Sequence, residues 1–310
     1  PAELIMVEWN PPADRPLLHE ILPQPGPGDK LVIRYIIVPN EIHQTYHRGN
    51  VIPLYQMIAK NVGIRRAKGE FILCTNIDLL FSDKLFQILK QKNFDKNSFY
   101  RANRCDVPDE IELDWTFDKQ LDFCRNKIIR RIGKNSKYLN IGDVPENLYQ
   151  FPSIVWALDK SYALKKNLLE NMQKSAMGRL DTNACGDFTM MSREMWEDIQ
   201  GYAELDLYSI HIDTMAIIAA ASLGYRQCIF PPQACAYHID HPTGWEAMSV
   251  KERIKFLVER PGIGFDTVWD LAMEMLTKPS RLDINRPDWG WANEVFEEIV
   301  LTPRLVKQVL

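Results

Sequence analysis

Apolar residues recur along the first hundred positions in two rhythms that take turns. Leu4–Glu8 and Leu31–Val38 read as strands, the second a β-branched run that suits a buried position. Between them, Pro11–Asp29 is rich in Pro and Gly and carries one short apolar piece, Leu17–Leu22, so a loop with a single helical turn is expected. Pro53–Ala67 places Leu54, Met57, Ile58 and Val62 near a period of 3.6, which predicts a helix ended by Gly69. A strand over Glu70–Thr75 follows, then a helix over Lys84–Lys92 capped by Ser82 or Asp83, then a strand over Ser98–Cys105. This alternation argues for an α/β chain with a doubly wound, mostly parallel sheet flanked by helices.

The rhythm fades across 106–180, a charged stretch that reads as a helical insertion. Leu121–Arg131 suggests an amphipathic helix and Asn135–Pro152 a loop. Pattern returns at Cys185–Ser192, a short strand whose last residue can cap a helix over Arg193–Ile199. A second helix spans Ile212–Leu223, and a short strand spans Gln227–Phe230. The tail predicts helices over Glu246–Val258, Asp266–Leu276 and Trp291–Leu301. The expected division is 1–105, 106–180, 181–245 as a second half of the first domain, and a helical C-terminal extension over 246–310.

Composition narrows the classes. Of 310 residues, 46% are hydrophobic and 25% charged, which is ordinary for a globular chain. A net charge of −4 gives no reason to expect a nucleic-acid partner. No apolar run is long enough for a transmembrane helix. Six scattered cysteines without a CxxC pair suggest reduced thiols and a cytoplasmic setting, with peripheral attachment to a membrane left open. The chain opens on Pro1, almost directly into a strand, so a preceding piece is expected to be missing.

Candidate chemistry gathers at strand ends. Asn76-Ile77-Asp78 follows an apolar strand, and alternation points Asn76 and Asp78 to one side. A carboxylate and an amide there can bind a hard cation carrying a diphosphate, the outline of a sugar-nucleotide site. Lys60, Arg65 and Arg66 offer positive charge for phosphate, although such a cluster also suits a solvated face. His238-Ile-Asp-His241 packs three possible ligands into four residues, and imidazole beside Asp78 favours Mn²⁺ over Mg²⁺. His43 and His47 stand four apart, but without the acid of an HExxH motif they are not read as a metal site. Asp187, behind Gly186, and Asp213, at a helix start, are the candidate proton acceptors. Trp245 is the candidate aromatic platform for an acceptor.

The order Ala59-Lys60-Asn61-x-Gly63, Ala67-x-Gly69-Glu70, a strand, a DxD-like triplet, a Gly-Asp-Phe turn, an acid opening the next helix and a late His resembles the family-2-like glycosyltransferases of GT-A fold. The match covers about half of the chain, within residues 1–105 and 185–242. It implies a nucleotide-diphosphate sugar as donor, a carbohydrate or lipid-linked glycan as acceptor, a divalent cation and inversion at the transferred carbon. It also implies that the family's first strand is absent here. By the same resemblance Glu8 meets the nucleoside, Lys60 and Asn61 lie near the donor, Asp78 binds metal, and His238 or His241 completes the metal site. Asp213 then resembles the general base and Asp187 an acceptor-side acid. Asn76 stands where the family has the first Asp of its triplet, which weakens metal binding there and leaves ribose hydrogen bonding intact. A sugar nucleotidyltransferase and a non-catalytic sugar-nucleotide-binding protein are the alternatives. A dinucleotide dehydrogenase is disfavoured because no GxGxxG follows the first strands.

Overall fold

The structure is a computed structural model, and it describes residues 2–26, 28–133, 180–241, 249, 251–252, 255, 259–277 and 283–303. The expected loop over Asn135–Pro152, most of the expected helix over Glu246–Val258 and Trp245 lie outside the described residues.

The fold is mixed α/β. Its strands are β1 (Ala2–Trp9), β2 (Leu31–Val38), β3 (Phe71–Thr75), β4 (Leu79–Phe81), β5 (Ser98–Arg101), β6 (Asn103–Val107), β7 (Arg130–Ile132), β8 (Phe188–Ser192), β9 (Arg226–Ile229), β10 (Cys235–Ile239) and β11 (Glu297–Leu301). The helices are α1 (Leu18–Ile21), α2 (Asn40–His43), α3 (Gln56–Arg66), α4 (Asp83–Gln91), α5 (Phe117–Asn126), α6 (Arg193–Ile199), α7 (Ile212–Ser222) and α8 (Phe265–Thr277).

Among the described residues the strands form three sheets, ordered β1-β2-β11, β4-β10-β6-β7 and β3-β8-β5-β9. The expected mostly parallel sheet is corrected. Only β1–β2, β6–β10 and β5–β9 run parallel, while the other five ladders are antiparallel. Strand direction depends on which distant segment becomes the neighbour, and local periodicity carries no record of that.

Two boundaries also move. The expected strand over Ser98–Cys105 is two strands that part at Ala102, with β5 in one sheet and β6 in another. The expected C-terminal helix over Trp291–Leu301 ends instead in β11, paired antiparallel to β2. There Glu298 reaches the guanidinium of Arg34 at 2.7 Å, and Ile299 and Leu301 pack beside Tyr35. An edge place on a sheet outweighs the helical tendency of paired glutamates. The region after 105 is not simply an insertion: β6 runs to Val107, and β7 extends the same sheet.

Helix α3 lies on β1, and Gly63 permits the approach, since a Cβ there would sit 3.3 Å from the Val7 side chain. Helix α7 is apolar on nearly every side and buried nearly throughout, as such a pattern requires. It shares its core with Trp196, Trp269 and Trp289. Ser192 and Ser82 cap α6 and α4 as expected, accepting from Met195 N at 3.1 Å and Leu85 N at 3.3 Å.

Candidate functional site

After β3 the chain turns through Asn76-Ile77-Asp78 and returns at once as β4. β4 pairs with β10, so His238 lies opposite Leu79, and Ile239 N donates to Asp78 O at 3.0 Å. On its other side β10 pairs in parallel with β6, which sets His238 opposite Asp106. Sheet register thus brings three segments distant in sequence to one spot.

There His238 Nε2 lies 3.3 Å from Asp78 Oδ2, and His241 Nε2 lies 3.7 Å from the same oxygen. One ligand atom from each of Asp78, His238 and His241 falls within 4.8 Å of the others. Asp78 is partly exposed, His238 nearly buried and His241 more open, so the cluster sits at a rim. Asp78 Oδ1 is buried with no hydrogen-bond partner. An orphaned carboxylate oxygen beside two imidazoles fits a divalent cation, and the N,N,O donor set suits Mn²⁺.

The electrostatics agree with that fit. Burial opposes the charge of Asp78, but the neighbouring imidazoles of His238 and His241 hold its carboxyl below the usual range. Burial likewise works against a charged His238, yet Asp106 and Asp78 on its two sides raise it to about 9. The negative charge that retains a proton on that ring is available to a cation.

A chain of polar contacts continues inward. Asp106 is fully buried, with Arg104 Nε and Arg130 Nε each 2.5 Å from its oxygens. Arg104 Nη1 also donates to Asp187 Oδ2 at 3.2 Å. Asn76 Nδ2 donates to Asp187 Oδ1 at 2.7 Å, while Asn76 Oδ1 accepts from Lys60 Nζ at 2.7 Å and Gln56 Nε2 at 3.0 Å. Lys60 Nζ also donates to Gly186 O at 2.6 Å, and Gly186 N donates to Asp213 Oδ2 at 2.7 Å. Burial raises Asp187, although Arg104 works the other way, and burial lowers Lys60.

The sequence-predicted residues therefore divide. Asp78, His238 and His241 meet directly, and Lys60, Asn76, Asp187 and Asp213 join the contact chain that starts beside them. Glu8, Asn61, Arg65 and Arg66 are engaged elsewhere. Glu8 receives Leu18 N at 3.2 and 3.1 Å and so anchors the start of α1. Asn61 is fully buried; its Nδ2 donates to Tyr202 O at 2.8 Å and Glu204 Oε1 at 3.0 Å, and its Oδ1 accepts from Tyr202 N at 2.8 Å. Arg65 pairs with Glu197 and lies over the Trp289 ring, while Arg66 donates to the carbonyls of Gly290, Trp291 and Glu294. Asn61 and Arg65, expected beside the donor, both use their side chains to fasten helix α3 to other segments of the fold.

His43 has a structural place as well. Its Nδ1 accepts from Trp9 Nε1 at 2.9 Å, so Nε2–H donates to Gly49 O at 2.9 Å. Asp106, Arg104 and Gln56 were not singled out in the sequence. The signal for the first two was an acid and a base placed two apart in Asn103-Arg-Cys-Asp106, on one face of a strand whose remaining side chains suit a core.

No family model matches the sequence, and no curated protein does.

Proposed function

We propose that this chain is a metal-dependent glycosyltransferase with a GT-A-like arrangement, moving a sugar from a nucleotide-diphosphate donor to a hydroxyl of a carbohydrate or lipid-linked glycan. The observation that carries the reading is the convergence of Asp78, His238 and His241 on one another at the tip of β3. Open α/β sheets bind ligands beyond strand ends, and a divalent cation there is a usual partner of a diphosphate.

Asp78, His238 and His241 would hold the cation. When bound, a divalent ion supplies charge neutralisation to the departing diphosphate. Lys60 holds the amide of Asn76 and the carbonyl of Gly186, which keeps the triplet and the Gly186-Asp187 turn in one arrangement. Ile77, fully exposed between Asn76 and Asp78, is free to cover a bound ligand. The acceptor proton passes to Asp187 or Asp213. Asp187 suits the task by proton affinity, because burial raises it toward the working range of a general base. Asp213 suits it by access, being only partly buried. Attack from the face opposite the leaving diphosphate inverts the transferred carbon.

A non-catalytic nucleotide-sugar-binding protein is the second reading. It is favoured by the engagement of both Asp213 oxygens with backbone amides, Gly186 N at 2.7 Å and Thr214 N at 2.9 Å. A panel of nucleotide-diphosphate sugars, incubated with the protein and Mn²⁺, separates these. Release of nucleoside diphosphate that depends on Asp78 supports the transferase. Release of pyrophosphate indicates nucleotidyl transfer instead. Metal-dependent thermal stabilisation without turnover leaves the binding protein.

A further inference from the structure

Two carboxylates flank the imidazole of His238, and they face different nitrogens. Asp78 Oδ2 stands 3.3 Å from Nε2, and Asp106 Oδ1 stands 3.1 Å from Nδ1. Asp78 is partly exposed at the rim, while Asp106 is fully buried beneath the ring. We propose that Asp106 is a positioning residue for the metal centre. Its Oδ1 lies 3.1 Å from His238 Nδ1, a nitrogen with no aligned hydrogen-bond partner among the described residues. On metal binding it accepts a hydrogen bond from Nδ1–H, fixing the tautomer and the ring plane so that the Nε2 lone pair is presented with Asp78 and His241 to a divalent cation. The inference rests on the metal-dependent reading of the site given above.

The fold prepares this role. Parallel pairing puts His238 and Asp106 directly opposite one another on adjacent strands, where side chains share a face. A buried carboxylate would be a poor partner if it shifted. Arg104 and Arg130 hold it in place, each gripping one oxygen at 2.5 Å. Arg104 extends the same support to Asp187 at 3.2 Å, so the histidine and the candidate base share one scaffold. Two guanidiniums alone would satisfy a structural acid. The additional approach to Nδ1, with Nε2 turned toward Asp78 and the Nε2 of His241 on the same oxygen, is what a ligand histidine needs from the group behind it.

The test uses the full chain freed of metal and Mn²⁺ alone as probe, with free Mn²⁺ followed by electron paramagnetic resonance. Wild type is compared with Asp106→Asn and with the double variant Asp106→Asn/Arg130→Gln, which removes one negative and one positive charge and so keeps the buried balance. The expected result is Mn²⁺ affinity weaker by about 10- to 100-fold in the folded variants, the usual loss when a hydrogen-bond partner behind a ligand is removed. Affinity unchanged in either folded variant, with wild type binding normally, overturns the role of Asp106 and leaves the metal site standing. Absence of Mn²⁺ binding in wild type overturns the metal reading itself. A second measurement needs no variant. In the Zn²⁺-loaded wild-type chain, ¹⁵N NMR of His238 is expected to show a proton on Nδ1 and the metal on Nε2. A proton on Nε2, or metal on Nδ1, overturns the proposal.

Discussion

Replacing Asn61 separates a structural role from a ligand-binding one. Its amide spans helix α3 and the turn after α6, with three hydrogen bonds at 2.8, 3.0 and 2.8 Å. In Asn61→Ala, Tyr202 N–H loses that acceptor in a buried setting. Tyr202 O keeps the Asn285 amide at 2.7 Å, and Glu204 Oε1 keeps Gly290 N at 2.7 Å. One stranded donor and two lost bonds together amount to about 2–4 kcal/mol. In a chain this long that lowers the melting temperature by about 4–8 °C. Asn61→Asp is the sharper probe, because it keeps the shape and the acceptor for Tyr202 N–H. Its second oxygen would face the Tyr202 carbonyl and the Glu204 carboxylate, where Nδ2 now donates. At neutral pH it should destabilise at least as much as alanine. Thermal unfolding gives the ranking, and stabilisation by nucleoside diphosphate with Mn²⁺ is then measured well below each melting point. An aspartate variant as stable as wild type, or an alanine variant of unchanged stability that no longer responds to the nucleotide, would refute the structural assignment.

Arg34 is buried and binds Glu3 at 3.0 Å, Glu298 at 2.7 Å and Arg66 O at 2.7 Å, so it clasps β1, β2 and β11. Arg34→Met should remove about 3 kcal/mol, the loss typical of stranding the partners of a buried ion pair, read by denaturant unfolding. For Glu3, burial opposes the charge but the Lys68 and Gly69 amides and Arg34 hold the carboxyl below its ordinary value, and for Glu298 it is chiefly Arg34 that does so. Folded values below the unfolded one mean that this stability is present above about pH 4.3 and is lost as pH falls through the folded values. Melting curves between pH 6 and pH 3 (roughly the carboxylate range) should show that loss in wild type and a flatter profile in Arg34→Met. Gly201 has φ +70°, and a Cβ there would fall 2.4 Å from Asn61 Oδ1 and 2.7 Å from the Trp289 ring. Gly201→Ala should therefore lose more than the roughly 1–2 kcal/mol of left-handed backbone strain alone, again by denaturant unfolding.

Local pattern made much of the secondary structure legible. The β-branched run of β2 begins and ends where the structure has it, and Gly201 follows the helix end at Gln200, itself left-handed at φ 58°. What escaped was pairing between distant segments. β4 has only three residues and exists because β10 accepts it, and β11 exists because β2 has an edge. The candidate site shows the same division. Asp78 and the His238–His241 pair were visible as polar residues beyond apolar strands, whereas Asp106 was hidden because its relation to His238 is one of register between two strands. Asn61 drew attention through a motif and Arg65 through a basic cluster, yet the contacts that occupy them, to Tyr202, Glu204 and Glu197, lie more than a hundred residues away.

Anomalous scattering from a crystal of the full chain grown with Mn²⁺ addresses the metal centre most directly. One strong manganese peak is predicted where Asp78, His238 Nε2 and His241 Nε2 converge, at the bond lengths of about 2.0–2.3 Å usual for such ligands. A crystal in which those side chains are ordered and the manganese sits elsewhere, or nowhere, would contradict it.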